Sequence, residues 1–206
     1  MSLSPDTIYL SATTLAQRIR EKKVSSQEVV KACLARIAKV NPQLNAVVQL
    51  CAERALMEAK EADALLARGK PKGPLHGVPM TIKDSFDTAG VVSTGGTLGR
   101  KDYVPPQDAT VVARVRAAGA ILLGKTNTPE FTLSFVTNNL IYGQTKNPYH
   151  LDYQPSGSSG GAAAIVAAGG APFEIGSDFA GSIRVPSHAC GLAGIKPTHG
   201  LVPRTG

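Results

Sequence analysis

A chain of 206 residues with 43% hydrophobic and 18% charged residues is long enough to bury a core and is not the composition of a disordered protein. Its net charge of +7 is spread along the chain, densest at "REKK" (Arg20–Lys23), with no arginine-rich arm, aromatic–basic ladder or zinc spacing, so no nucleic-acid partner is expected. Three cysteines without a CxxC, no signal-like region in "MSLSPDTIYL" and no apolar run of about eighteen residues imply reduced thiols, a cytoplasmic setting and no membrane span.

The first 70 residues read as helical. "SSQEVVKACLARIAKV" opens at Ser25 with Glu28 three positions on, a capping box, and Val30, Cys33, Leu34 and Ile37 form one apolar stripe. Asn41-Pro42 is expected to stop that helix. A second stripe runs through Ala55, Leu56, Ala59, Ala62 and Leu66 until Gly69. The texture changes at "GPLHGVPMTIKDS", where Val78, Met80 and Ile82 alternate as in a strand, leaving Lys83 on the other face at its end. Next come a helix in "ATVVARVRAAG", a buried strand in "AILLG" and a closely packed small-residue helix in "SSGGAAAIVAAGG". A strand in "FEIGSD", a short helix in "GSIRVPSHACG" and a last strand in "AGIKPT" complete the order. Strands alternating with helices after residue 75 predict an α/β fold with a mostly parallel sheet.

Three candidate chemistries fail on context or on spacing. "GAILLGKT" (Gly119–Thr126) fits the phosphate-loop spacing, yet its middle is the buried strand itself and Pro129 delays any following helix. "GSSGG" fits a nucleophile elbow at Ser159, but Asp178 and His188 or His199 follow too closely for the strands that such a triad needs. His76, His150, His188 and His199 never fall at metal-ligand spacing, so no metal is expected.

A fourth pattern carries more. "GSDFAGSIR" sets Ser182 after Ala180 and Gly181 before a helix start, where successive N–H groups can face an oxyanion. "PSGSSGG" sets Ser158 after Gly157, also at a helix start, and Lys83 ends a strand. Lysine is a known substitute for histidine as the base of a serine nucleophile. The run "QPSGSSGGAAAIVAAGGAPFEIGSDFAGSIRVPSHACGLAGIKPTHG" resembles the signature of the amidase signature family of amide hydrolases, "HGVPMTIKD" resembles that family's lysine strand, and "GKTNTPEF" and "YGQTKNP" resemble its intervening segments.

The resemblance runs from about Leu75 to Gly206 and implies the amidase signature fold, a mixed, mostly parallel sheet flanked by helices. Residues 1–70 would be a helical arm or layer and 75–206 the signature core of one domain. Members of the family are roughly twice as long, so the resemblance covers an N-terminal portion and implies an incomplete sheet. Carried over residue by residue, it makes Ser182 the nucleophile, Ser158 a bridging serine behind a cis peptide from Gly157, and Lys83 the base. The N–H groups of Phe179, Ala180, Gly181 and Ser182 would hold the oxyanion, with Gly157, Ser159, Asp178 and Arg184 as structural support. A neutral amine is needed at Lys83, which burial without a carboxylate partner would provide; Asp84, next in the strand, would face away. The family often has glycine where Ser156 and Ala180 stand; the Ala180 methyl is expected to narrow the acyl pocket. The implied activity is hydrolysis of linear amides through a serine acyl-enzyme, on a small-molecule amide and without any cofactor, and homo-oligomerisation is compatible with it. The alternatives are the glutaminase-bearing component of a tRNA-dependent amidotransferase, which shares the signature, and a non-catalytic piece.

Overall fold

The computed structural model describes residues 5–206, a mixed α/β structure in which six helices surround a four-stranded sheet. Helix α1 (Ala12–Arg20) is capped by Ser11, whose hydroxyl accepts from the Thr14 N–H. Helix α2 (Ser26–Leu44) starts with the expected capping box, Ser25 and Glu28 each accepting the other's backbone N–H. Its stripe is as expected: Val30, Cys33 and Ile37 are buried and Leu34 packs at the margin.

Asn41-Pro42 does not stop α2, which continues to Leu44 with Pro42 inside its last turn. Proline there removes one N–H, while the Asn41 carbonyl still accepts from Asn45 at 2.8 Å. Asn45, in the left-handed conformation, makes the actual stop. The Asn41 side chain then turns the chain: its Oδ1 accepts from Ala46 and Val47, and its Nδ2 donates to the Val47 carbonyl at 2.9 Å.

That turn opens a strand in the segment read as wholly helical. Strand β1 (Val47–Leu50) precedes helix α3 (Ala52–Ala67), which is capped by Arg68 and followed by Gly69 with φ +71°. Four residues between two strong helical stripes carry little signal of their own; β1 exists because β3 (Ile121–Thr126) is beside it, antiparallel. Strand β2 (Pro79–Lys83) pairs in parallel with β3 on one side and with the two-residue β4 (Glu174–Ile175) on the other, giving the order β1-β3-β2-β4. Every residue of β2 and β3 is buried, as befits central strands covered on both faces.

Helices α4 (Thr110–Ala117), α5 (Gly160–Ala167) and α6 (Arg184–Ala189) fall where the sequence places them. The larger apolar cluster joins α1, α2, α3 and α5 to Val78, Ile121 and Leu123; a smaller one joins Met80, Ile82 and Leu122 to Val112 of α4. The last strand expected in "AGIKPT" is absent: Ile195 is exposed and the segment is irregular. An apolar run becomes a strand only where a neighbour takes its backbone groups, and the described residues offer it none. Among the described residues no helix is long and apolar enough to cross a membrane.

Candidate active site

Strand β2 delivers Lys83 at its last position, directly opposite Thr126 of β3. The lysine is fully buried, and its Nζ donates to Ser158 Oγ at 2.6 Å and to Ser177 Oγ at 2.9 Å. Burial pushes its pKa down to about 7, against the pull of Glu174 and Asp178, whose charges favour the ammonium. Asp84 faces away, as strand alternation requires. It accepts from the N–H of Thr94 at 3.0 Å and from that residue's hydroxyl, and it lies 3.8 Å from Lys125 Nζ.

Ser158 sits in the loop that enters α5, with the Gly157–Ser158 peptide cis as the resemblance implies. A side chain at Gly157 would meet the Ser134 carbonyl oxygen at 2.9 Å, so the chain passes here only without one. Ser156 has φ +66°, a left-handed conformation that explains why glycine suits this position. Ser159, the elbow candidate, spends its hydroxyl on the Ser177 carbonyl at 3.3 Å, and both His188 and His199 are exposed.

The loop carrying Ser182 is built on Asp178. Its carboxylate accepts from the N–H groups of Gly181, Ile183 and Arg184 and takes both Nε and a terminal nitrogen of the Arg184 guanidinium at 3.0 Å. Burial opposes the charge, but the Arg184 bonds and the three N–H groups outweigh it and hold the carboxyl well below the usual range. Asp178 and Arg184 thus fix the loop. The Ser182 carbonyl accepts from the Ser159 N–H at 3.1 Å, which brings this loop against the residue after Ser158. The Ser182 hydroxyl makes no hydrogen bond among the described residues.

Of the four N–H groups expected to face an oxyanion, that of Gly181 donates to Asp178 Oδ1 at 2.8 Å. Those of Phe179, Ala180 and Ser182 have no acceptor among the described residues. Gly181 itself has φ +124°, and a Cβ there would approach Val185 at 2.9 Å, so glycine is required for the turn.

Sequence reasoning missed three groups. Ser177, the second partner of Lys83, stands next to Asp178 in "GSD", and only the side from which β4 approaches β2 turns it inward. Lys125, inside the phosphate-loop look-alike, is fully buried and donates to the Phe86 carbonyl at 2.6 Å and Ser93 Oγ at 2.8 Å. Glu174 accepts from the hydroxyls of Thr81 and Thr126. A lysine inside an apolar run and a glutamate inside a strand were the available signals.

The family described as Amidase matches residues 28–206. The A subunit of glutamyl-tRNA(Gln) amidotransferase from Carboxydothermus hydrogenoformans is 46% identical over 198 residues, covering 96% of this chain and 41% of that protein. Its counterpart of the same name from a Marinomonas species is 47% identical over 95% of this chain and 40% of its own length. Among solved structures, native peptide amidase from Stenotrophomonas maltophilia superposes with a TM-score of 0.90 at 39% identity, over 95% of this chain and 42% of that one. Fatty acid amide hydrolase does so with a TM-score of 0.85 at 33% identity, over 90% and 33%. The chain therefore spans about two fifths of the curated relatives it matches. With the lysine strand, the serine–glycine loop and the Asp178-centred turn arranged as described, and with the match covering most of its length, this chain belongs to the amidase signature family.

Proposed function

We propose that the protein carrying this chain cleaves a carbon–nitrogen amide bond through a serine acyl-enzyme, with Ser182 as nucleophile, Ser158 as proton bridge and Lys83 as base. The observation that carries this reading is the 2.6 Å bond from a fully buried lysine amine to Ser158. An amine held near 7 is neutral often enough to accept a proton and acidic enough to return it. In the proposed cycle the neutral Lys83 amine takes the Ser158 proton while Ser158 takes that of Ser182. The Ser182 oxygen bonds to the amide carbon, and its carbonyl oxygen becomes an oxyanion facing the open N–H groups of Phe179, Ala180 and Ser182. The proton returns through Ser158 to the leaving nitrogen, since an amine leaves poorly unless protonated. Water then releases the acid by the same relay, with the proton held in turn by Lys83.

A fluorophosphonate probe tests the nucleophile. Wild-type protein should label at Ser182 and Ser182→Ala should not; labelling that disappears only in Ser159→Ala would transfer the role to the elbow. Lys83→Met should lower amide turnover by about 10²–10⁴-fold, the usual contribution of a general base.

A second reading has its own support. The curated relatives at 46–48% identity are the A subunits of glutamyl-tRNA(Gln) amidotransferases, which favours glutamine as the amide and ammonia passed on within a complex. Glutaminase activity that rises on adding partner subunits and charged tRNA would establish it. Hydrolysis of simple acyl amides without partners, and no such rise, would leave the hydrolase.

A further inference from the structure

One half-buried acid beside the amine takes no part in the proposed cycle. Glu174 belongs to β4 and is paired in register with Thr81, two residues before Lys83 on the same face of β2. Its Oε2 accepts from the Thr81 hydroxyl, and its Oε1 accepts from the Thr126 hydroxyl at 2.6 Å. Thr126 is the residue opposite Lys83 across the β2–β3 ladder. The carboxylate is thus clamped between the neighbour of Lys83 along its own strand and its neighbour across the sheet. No ion pair forms between Glu174 and Lys83; the amine instead keeps its two serine partners.

We propose that Glu174 is a positioning residue for Lys83: its carboxylate, pinned across the end of β2 by two threonine hydroxyls, sets the charge that the amine carries at rest and steadies the ammonium formed when the amine takes the Ser158 proton. Direct contact would lock a full ammonium in place and remove the base. A carboxylate held by the threonines beside the amine favours the ammonium without competing for its hydrogen bonds.

The charged groups around the carboxylate are few. Lys83 faces it from β2 and Lys125 comes from β3, where it is engaged with Asp84; Asp178 lies farther along the chain from β4 and acts on Lys83 as well. Helix α5, packed on β4, carries no ionisable residue. Burial holds Glu174 up to about 7, opposed by the two threonine bonds and both lysines. Acid and amine therefore change charge over the same range of pH, and the two protons leave in steps that belong to the pair.

This inference rests on Lys83 acting as the base, and its test separates the two claims. In the intact protein with ¹³C-labelled lysine, the Cε resonance lost in Lys83→Arg reports the charge of that amine directly. Removing the carboxylate in Glu174→Gln should lower its titration midpoint by about one unit and turn the two-step curve into one step. The acid limb of kcat/KM should move down with it, so that one unit below the wild-type midpoint activity relative to its plateau rises about fivefold. The plateau itself should fall, because a weaker base accepts the proton less readily. Thr126→Val, which removes one donor to the ionised carboxylate, should shift the midpoint the same way by less, and Thr126→Ser should restore it. A Cε midpoint unchanged in Glu174→Gln and Thr126→Val proteins that melt at the wild-type temperature would overturn the inference. A midpoint that moves while Lys83→Met retains full turnover would uphold the coupling and remove Lys83 as the base.

Discussion

Lys83 holds two hydroxyls with one amine, and the two have different consequences. In the proposed cycle Ser158 is the partner through which a proton travels, whereas Ser177, the second acceptor of the amine, would fix the direction in which it points. Removing the second hydroxyl leaves the amine buried with one partner fewer. A hydrogen bond of this kind contributes about 0.5–1.5 kcal/mol. Ser177→Ala should therefore lower kcat roughly two- to tenfold with KM little changed, as steady-state kinetics on an amide substrate would read. As the proposed base, Lys83 also sets the expected pH profile. Its folded pKa is about 7, so the amine is neutral above that value and protonated below it. Activity should fall about tenfold per unit on the acid side of 7, and a profile flat down to pH 5 would mean that another group is the base. The position of Lys83 at a strand end and the away-facing Asp84 were legible from alternation alone. Ser177 was not, because its approach depends on which strand lies beside β2, and that is decided by a crossover.

At the scale of elements, the entry to α5 sets the site. The helix begins within three residues of Ser158 and has no side-chain cap, so its position comes from packing. Gly161 lies against the backbone of Asn127 and the Ala46 carbonyl, and the Gly161 N–H donates to the Asn127 carbonyl at 3.2 Å. A methyl there would sit 2.7 Å from the Asn127 oxygen and 2.8 Å from that of Ala46, and also against the Asn127 nitrogen. Backbone on both sides cannot yield as a flexible side chain would. Gly161→Ala should thus push α5 outward and carry Ser158 off Lys83, with turnover reduced at least tenfold and thermal stability lowered by about 1–3 kcal/mol. Full activity in that variant would show that the serine loop is positioned without α5. The helices themselves were readable, since caps and 3.6-residue stripes are local. Strand β1 was not, because four residues gain strand character only from β3, more than seventy positions later. The strand expected in "AGIKPT" failed for the converse reason: the local pattern was present and the neighbour was not.

Taken as a whole, the molecule concentrates buried and half-buried ionisable groups where β2 and β3 end. Lys83 and Glu174 lie on one face of the sheet, Lys125 and Asp84 on the other. Each group titrates differently once the chain unfolds, so stability must vary with pH. Glu174 is raised from 4.5 to about 7, and Asp84 is raised by burial against the pull of Lys125. Both bind protons more tightly when folded, so the stability they contribute is present at low pH and is lost as pH rises, for Glu174 between 4.5 and about 7. The lysines behave oppositely. Lys83 falls from 10.5 to about 7 and Lys125 from 10.5 to about 8, so the unfolded chain holds those protons more tightly and stability returns as pH rises past 8. Above 9 the buried thiols of Cys33 and Cys190, each raised to about 12, work against that gain. The expected profile has a minimum between pH 7 and 8, with a rise from 8 to 9 of about 1.4 kcal/mol per pH unit for each neutral lysine. Urea unfolding at half-unit steps measures it. The double variant Lys125→Met, Asp84→Asn removes one pair without stranding a charge and should lose about half of that rise. A wild-type profile flat between 8 and 9 would mean that both amines remain charged in the folded protein, and a charged Lys83 has no lone pair with which to take a proton from Ser158.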